Sequence, residues 1–329
     1  MKVSVALTVL NGEELVGPLL TSLLNQSKKA EEIVIVDGGS KDKTVEIIKH
    51  YQKKDKRIKL LIENCFRAKG RNLAIEISKN EIIAMTDVGC LPRKNWLEKI
   101  TIPLNNPNID ITAGLYVMSG ESSMQKALSV FLGFPNSKLG RNFLPTTRSI
   151  AFRKKAWEDV GGFTEHEENS AEDSEFNEKA IKTGLRYSRV KDAVVEWGIP
   201  DQFFEGIKTM ADYAKWDARD GVWWNPVQKL SSHNIKVLTI FARYLIWLIL
   251  LFYSLYKPFI APVLILVTSI YLSWAFRKVY FLAGLKDNQK ISSGLWGIAI
   301  QIFSDIAIIW GFLRGIELKI KRQRKTHLK

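Results

Sequence analysis

The stretch Ile33–Thr44, Ile-Val-Ile-Val-Asp-Gly-Gly-Ser-Lys-Asp-Lys-Thr, constrains the fold more than any other part of the chain. Four consecutive β-branched residues, Ile33 to Val36, make an apolar run of the kind that forms a strand buried on both faces. The run stops at Asp37. Gly38 and Gly39 follow, residues that take positive φ and let a ligand approach the backbone. Ser40 or Asp42 can cap the helix that carries Val45, Ile47 and Ile48. An acidic residue at the carboxyl end of a parallel strand, beside a glycine turn, stands where open α/β sheets place their ligands. Taken alone, Asp37 reads first as a residue that closes a turn, and it is the company further along the chain that changes this.

The same alternation runs through the first ninety residues. Val3–Val9, Lys59–Ile62 and Ile82–Thr86 read as strands, with helices over Leu15–Asn25, Thr44–Gln52 and Lys69–Ser78. Strands alternating with helices at this spacing predict an α/β fold, a parallel sheet with helices on both faces. No GxGxxG follows the first strand, so a standard dinucleotide site is not expected. Beyond it, Ile111–Met118, Ser149–Phe152 and Ala193–Trp197 read as strands, and Phe203–Trp224 as an aromatic-rich amphipathic helix or pair of helices.

Hydrophobic residues are 46% of the 329 and charged residues 25%, an ordinary average that conceals two unlike ends. Leu238–Tyr256, Phe259–Phe276 and Gly294–Leu313 are nearly free of charge, and each is long enough to cross a hydrocarbon core of roughly 30 Å. Lys257-Pro258 breaks the first from the second. Arg243 sits near the start of the first and is placed to snorkel outward, while Gln301, Ser304 and Asp305 interrupt the third and should face other helices. Trp216, Trp223 and Trp224 suit a membrane interface as well as they suit a core. The reading is therefore a cytosolic domain over 1–225, interfacial and transmembrane helices over 226–316 and a basic tail over 317–329.

Net charge is +14, and from Arg314 onward seven basic residues oppose Glu317 alone. Beside an apolar span, anionic lipid explains such a tail better than nucleic acid, for which no module is present. With the domain in the cytosol, Arg277, Lys278, Lys286 and Lys290 fall inside, as the positive-inside rule asks; a third crossing then places the tail outside, against the rule. Three membrane segments remain the favoured count. Two cysteines, Cys65 and Cys90, form no disulfide framework, and Met1–Leu10 lacks the features of a signal peptide.

The residues at strand ends carry the chemistry. Thr8, Asn11 and Glu13 follow the first strand, Asp37 and Gly39 the second, Arg67, Lys69, Arg71 and Asn72 the third, and Asp87 the fourth. All converge on one crevice if the strands are parallel. A nucleotide suits that mixture, with carboxylates accepting from base and ribose while cations face the diphosphate.

With these residues in view the chain resembles the family 2 glycosyltransferases, in Thr8–Glu13, Val36–Thr44, Lys69-Gly70-Arg71-Asn72, Thr86–Cys90, Gly161-Gly162-Phe163 and Ala171–Phe176, in the family's order and over roughly residues 1–225. The resemblance implies a GT-A-type fold and a nucleotide-sugar donor, GDP- or UDP-linked. It implies that Asp37 contacts the base, that Asp87 serves the ribose and a divalent cation (Mg²⁺ or Mn²⁺), and that Asp173, beside Glu172, is the catalytic base. One departure stands out: the family's Asp-x-Asp pair is here Asp87-Val88-Gly89, so the second carboxylate is missing.

Asp173 also has a structural reading, since Ser170-Ala171-Glu172-Asp173 fits a helix-capping pattern. His166 lies close in sequence to this acidic stretch and stays open as a contact. A hydroxyl acceptor needs its proton removed, whereas a lipid phosphate does not. The Glu172-Asp173 pair therefore favours transfer to a hydroxyl of a lipid-linked saccharide or glycolipid over a polyprenyl-phosphate sugar synthase. A processive polysaccharide synthase would need more helices and a Gln-x-x-Arg-Trp motif, absent here. A nucleotide-binding scaffold without turnover is the remaining class.

Overall fold

The structure is a computed structural model, and it describes residues 1–133, 143–165, 172–221, 224–225, 230–231, 233–282 and 285–327. His166 and the Ser170-Ala171 half of the capping pattern lie outside the described residues, as does Trp223. Along the first unit the order is β1 (Val3–Val9), α1 (Glu13–Leu24), β2 (Glu32–Asp37), α2 (Thr44–Lys54), β3 (Ile58–Ile62), α3 (Arg67–Glu76), β4 (Ile82–Met85), β5 (Cys90–Pro92), α4 (Trp96–Thr101) and β6 (Ile111–Ser119). After α5 (Ser123–Leu132) come β7 (Ile150–Arg153), α6 (Lys154–Asp159), α7 (Glu172–Lys182) and β8 (Tyr187–Gly198). The compact units are Met1–Met118 with Asn136–Gly198, and Ser119–Pro135 with Ile199–Lys329. Helix α5 thus belongs to the second.

The first unit is built on a sheet of order β3-β2-β1-β4-β7-β6-β8-β5. β3, β2, β1 and β4 pair in parallel, as the alternation predicts. The pairs β4–β7, β6–β7 and β5–β8 are antiparallel, which makes the sheet mixed. Strand parity sorts the apolar residues into two cores. Val5, Leu7, Ile33 and Ile35 pack with Leu19, Leu20 and Trp96 on one face, and Ala6, Val34, Val36 and Met85 pack with Ile75, Phe152 and Phe176 on the other. Covered on both sides, β2 reads as an unbroken apolar run from Ile33 to Val36 rather than an alternating one, and β1 is buried at every position from Val3 to Leu7.

The N-cap of helix α2 is Lys43, not Ser40 or Asp42; Asp42, one residue before it, accepts the Thr44 amide on Oδ1 at 3.1 Å, while the Ser40 hydroxyl accepts the Asn11 amide at 2.8 Å.

The second unit holds α5, α8 (Phe203–Asp220), α9 (His233–Tyr256), α10 (Ala261–Tyr280) and α11 (Asp287–His327). Three of these helices are long and apolar enough to cross a membrane, over Asn234–Tyr256, Pro258–Tyr280 and Asp287–Lys321. Helix α8 ends at Asp220, where Gly221 takes φ +71 and closes it, short of the predicted Trp224. Helix α11 carries the basic stretch as its own continuation: 41 residues at about 1.5 Å each exceed a hydrocarbon core of roughly 30 Å by a factor of about two.

Glycines set the helix contacts. A Cβ at Gly311 would run into the Ala211 carbonyl, and one at Gly315 into the Lys215 carbonyl, so a Gly-x-x-x-Gly face of α11 lies backbone-to-backbone on α8. Gly294 and Gly297 instead leave room for the Phe276 ring and the Val279 side chain of α10. Gln301, Ser304 and Asp305 are buried, as expected for polar groups that face other helices. Arg243 does not snorkel outward. Its guanidinium donates to Asp305 at 2.5 Å, and Tyr244, Tyr271 and Gln301 donate to the same carboxylate, so a nearly solvent-free acid recruits donors from all three long helices.

Gly315→Leu should force α8 and α11 apart and lower the stability of the detergent-solubilised chain by about 2 kcal/mol, read as a fall in its thermal midpoint. An unchanged midpoint would contradict the close helix crossing.

Candidate active site

Asp37 ends β2 with its side chain wholly buried. Its Oδ1 accepts the amides of Gly39 (3.0 Å) and Ser40 (2.8 Å), and its Oδ2 is buried with no partner among the described residues. Such an oxygen is an acceptor in want of a donor. Two glycines shape the turn beside it. A Cβ at Gly38 would stand 3.0 Å from the Cys65 carbonyl, and Gly39 has φ +95, a conformation side chains rarely adopt.

The first loop is laced to this turn. Asn11, itself at φ +48, accepts the Lys41 amide on Oδ1 at 2.9 Å. Glu13 accepts the Lys43 amide at 2.9 Å, and the Glu13 amide donates to Asp42 at 3.1 Å. Both side chains thus hold the loop that carries Asp37. Thr8 donates to the Val36 carbonyl at 3.0 Å and sits where a Cβ on Gly70 would fall, so it seats α3 against the sheet. Lys69 is exposed and pairs with Glu63 at 3.1 Å.

The remaining residues gather around Arg71. This side chain is 2% exposed, donates to Asp87 at 2.8 Å through one terminal nitrogen and to Glu172 through the other, and lies over the Phe163 ring. Burial alone would push the guanidinium down, but Asp87 and Glu172 outweigh it and hold it above its ordinary value. Asp87 also accepts from the Thr147 hydroxyl at 3.1 Å. Burial would raise its carboxyl, yet Arg71, Arg148 and Arg67 hold it below the usual carboxylate range. Asp173 is pushed the other way. Burial, then Glu172, lifts its carboxyl above the usual range against the pull of Arg71 and Arg148. The two carboxyls are thus shifted in opposite directions, Asp87 down and Asp173 up.

Parallel register brings Asp37 to the same edge. Val9 pairs with Asp37 on one side of β1 and Ala6 with Met85 on the other, so Asp37 and Asp87 flank the end of β1 at nearly one level. Two strand spacings separate them, about 10 Å. Asn72 closes the far wall: its side chain donates to the Phe163 carbonyl (2.8 Å) and accepts the Phe163 amide (2.9 Å), pinning the Gly161-Gly162-Phe163 turn to α3.

Two site residues have no sequence signal. Thr147 and Arg148 precede β7, and only the antiparallel β4–β7 pairing, Met85 opposite Ile150, brings them to the carboxyl edge of β4. The Arg148 guanidinium lies 3.8 Å from the Trp197 ring centre and 5.2 Å from that of Tyr116, a stacked cation facing Asp87 and Asp173.

For a divalent cation the donor set is thin. Among the described residues no three His, Cys, Asp or Glu side chains cluster to hold one. Gly89, at φ +95, supplies no carboxylate, and Asp87 is the single acid at this point. Asp87 keeps acceptor capacity beyond Arg71 and Thr147, so it fits as one protein ligand to an ion otherwise held by phosphate and water.

Residues 4–159 match the family described as Glycosyl transferase family 2. Over that stretch the chain is similar to the family 2 glycosyltransferases. Glycosyltransferase AglE of Haloferax volcanii is 27% identical over 200 residues, 58% of this chain and 65% of its own. TarS 1–349 of S. aureus, solved with UDP-GlcNAc, is 23% identical with a TM-score of 0.52, covering 64% of this chain and 66% of that one. Mannosyltransferase PcManGT of Pyrobaculum calidifontis, solved with GDP-Man and Mn²⁺, is 17% identical with a TM-score of 0.53, covering 92% and 86%. The chain spans less than two thirds of the first relatives it matches, 65% of AglE and 14% of a poly(ribitol-phosphate) beta-glucosyltransferase of Bacillus spizizenii. The solved structures carry the fold alone: the mixed, mainly parallel sheet is of GT-A type.

Arg71→Met would leave Asp87 and Glu172 without their counter-charge and should cost about 3–5 kcal/mol at pH 7. The Asp87 carboxyl is depressed in the folded state, so the stability it gains is present above its unfolded pKa of about 3.9 and is lost as pH falls through the folded value. The gap between wild type and variant, measured by denaturant unfolding, should accordingly narrow below about pH 4.

Proposed function

We propose that this chain is a membrane-anchored, inverting glycosyltransferase that moves a sugar from a GDP- or UDP-linked donor to a hydroxyl of a lipid-linked saccharide or glycolipid. The observation that carries this reading is buried Arg71 bridging Asp87 and Glu172, which brings the first turn of α7, with Asp173 and its raised carboxyl, to the end of β4. A base is useful only if the acceptor has a proton to lose.

In this reading Asp37 receives an N–H of the nucleobase on its unpartnered Oδ2, and Gly38 and Gly39 allow the base to lie against the backbone. Asn11, Glu13 and Thr8 keep that pocket in shape. Lys69 and Arg148 are the cations nearest the diphosphate path, and Arg71 holds Asp87 in place for the ribose. A divalent cation, bound through Asp87, would neutralise charge on the leaving diphosphate. Asp173 takes the proton of the acceptor hydroxyl as that oxygen attacks the anomeric carbon from the face opposite the leaving group, which inverts the centre. Glu172, tied to Arg71 and 3.6 Å from Arg67, is a positioning residue that aims the start of α7 and keeps Asp173 basic.

The long helices α9 to α11 support the membrane half of the proposal. An acceptor carried on a lipid would be confined to the same surface as the enzyme.

The test is a panel of UDP- and GDP-sugars offered with membrane lipid extract in Mg²⁺ or Mn²⁺ buffer. One donor should transfer label to a lipid-extractable product, and Asp173→Asn should lower kcat by roughly 10²–10⁴. Protonation of Asp173 removes the base, so wild-type kcat/KM should fall as pH drops through a value above the ordinary aspartate pKa of about 3.9, and that acid limb should vanish in Asp173→Asn. Equal turnover by both proteins would remove Asp173 from the reaction and favour an acceptor that is already anionic.

A further inference from the structure

The second unit contains a groove that no step of sugar transfer uses. It lies between α8 and α11 and has a volume of about 580 Å³. Lys208 and Lys215 reach it from α8, Arg314 and Lys321 from α11, against Asp212 and Glu317 alone. Asp212 accepts from Lys215 at 2.7 Å, and Glu317 accepts from both Arg314 (2.9 Å) and Lys321 (2.6 Å). Lys208 makes no ion pair among the described residues. The groove therefore keeps a surplus of positive charge, with Lys208 and Arg314 on opposite helices.

Its apolar side is equally defined. Trp310, 56% exposed, lines the groove at the end of the apolar stretch, and the Arg314 guanidinium lies 5.3 Å from its ring centre. Ile306 and Phe303 lie three to four residues apart below Trp310 on one helix stripe, and both are exposed. Cations above an indole above an exposed apolar stripe match a phospholipid end to end: phosphate, glycerol backbone, acyl chain.

We propose that this groove binds the headgroup of an anionic phospholipid, its phosphate between Lys208 and Arg314 and its acyl chains along Trp310 and Ile306. The site fixes α8 at headgroup depth, because the Gly311 and Gly315 contacts make α8 and α11 move together. The proposal rests on the membrane reading of α11 and not on the transfer reaction.

The full chain in zwitterionic detergent, examined by native mass spectrometry, provides the test. The probes are dilauroyl phosphatidylglycerol, dilauroyl phosphatidylcholine and glycerol 3-phosphate. The wild type should retain phosphatidylglycerol, retain little phosphatidylcholine, and lose no bound lipid to an equal concentration of glycerol 3-phosphate. Lys208→Gln/Arg314→Gln should weaken retention at least about tenfold, since each cation near a lipid surface contributes comparably. Lys53→Gln/Lys56→Gln, with the same charge change in the first unit, should retain lipid as the wild type does. Lys208→Gln alone breaks no ion pair, so it decides the matter if the double variant fails to fold. Retention unchanged in Lys208→Gln, equal retention of phosphatidylcholine, or full displacement by glycerol 3-phosphate would each overturn the proposal. Sugar transfer can fail for its own reasons without moving any of these readings.

Discussion

The first unit depends on one buried cation. Arg71 is fully enclosed, and a guanidinium there is tolerable only because Asp87 and Glu172 meet it from two directions. That requirement ties α3, the loop after β4 and the start of α7 to a single point. The same charges act on both acids: the three arginines hold the Asp87 carboxyl down, while at Asp173, one residue beyond Glu172, burial and the neighbouring acid outweigh Arg71 and Arg148. Glu172, grouped with Asp173 as catalytic on sequence grounds, has its carboxylate engaged by Arg71.

The parallel half of the sheet was legible because burial on both faces leaves an unmistakable composition. Ile33–Val36 is apolar without alternation for the reason that both of its sides are covered, and its acidic terminus then has to lie at the ligand edge. Asp37, Arg71 and Asp87 could be placed by the same rule, since each follows a strand whose direction the strand–helix alternation dictates. Asn11, Glu13, Thr8 and Lys69 were placed by that rule too, yet their side chains are occupied with the loops and helix they adjoin. Position at an edge follows from strand order, whereas the direction of a side chain depends on what the next loop requires.

What escaped the sequence has a common cause. Thr147 and Arg148 enter the site through an antiparallel pairing, and nothing in a short run such as Ile150–Arg153 states which way it points. The Asp305 cluster was half visible: a carboxylate inside an apolar helix demands partners, but that Arg243 would be one of them is a fact of helix rotation. Likewise, composition separates the apolar part of α11 from its basic end, while the helix continues through both because lysine and arginine are good helix formers.

The central claim is that a sugar nucleotide lodges where β1, β2 and β4 end. Hydrogen–deuterium exchange of the full chain, with and without the donor selected by the panel, tests it most directly. The account predicts slowed exchange at the Gly38–Ser40 amides and through the Asp87–Gly89 turn, with the α9–α11 spans unchanged. Protection confined to other surfaces, or none at a donor concentration that saturates transfer, would contradict it.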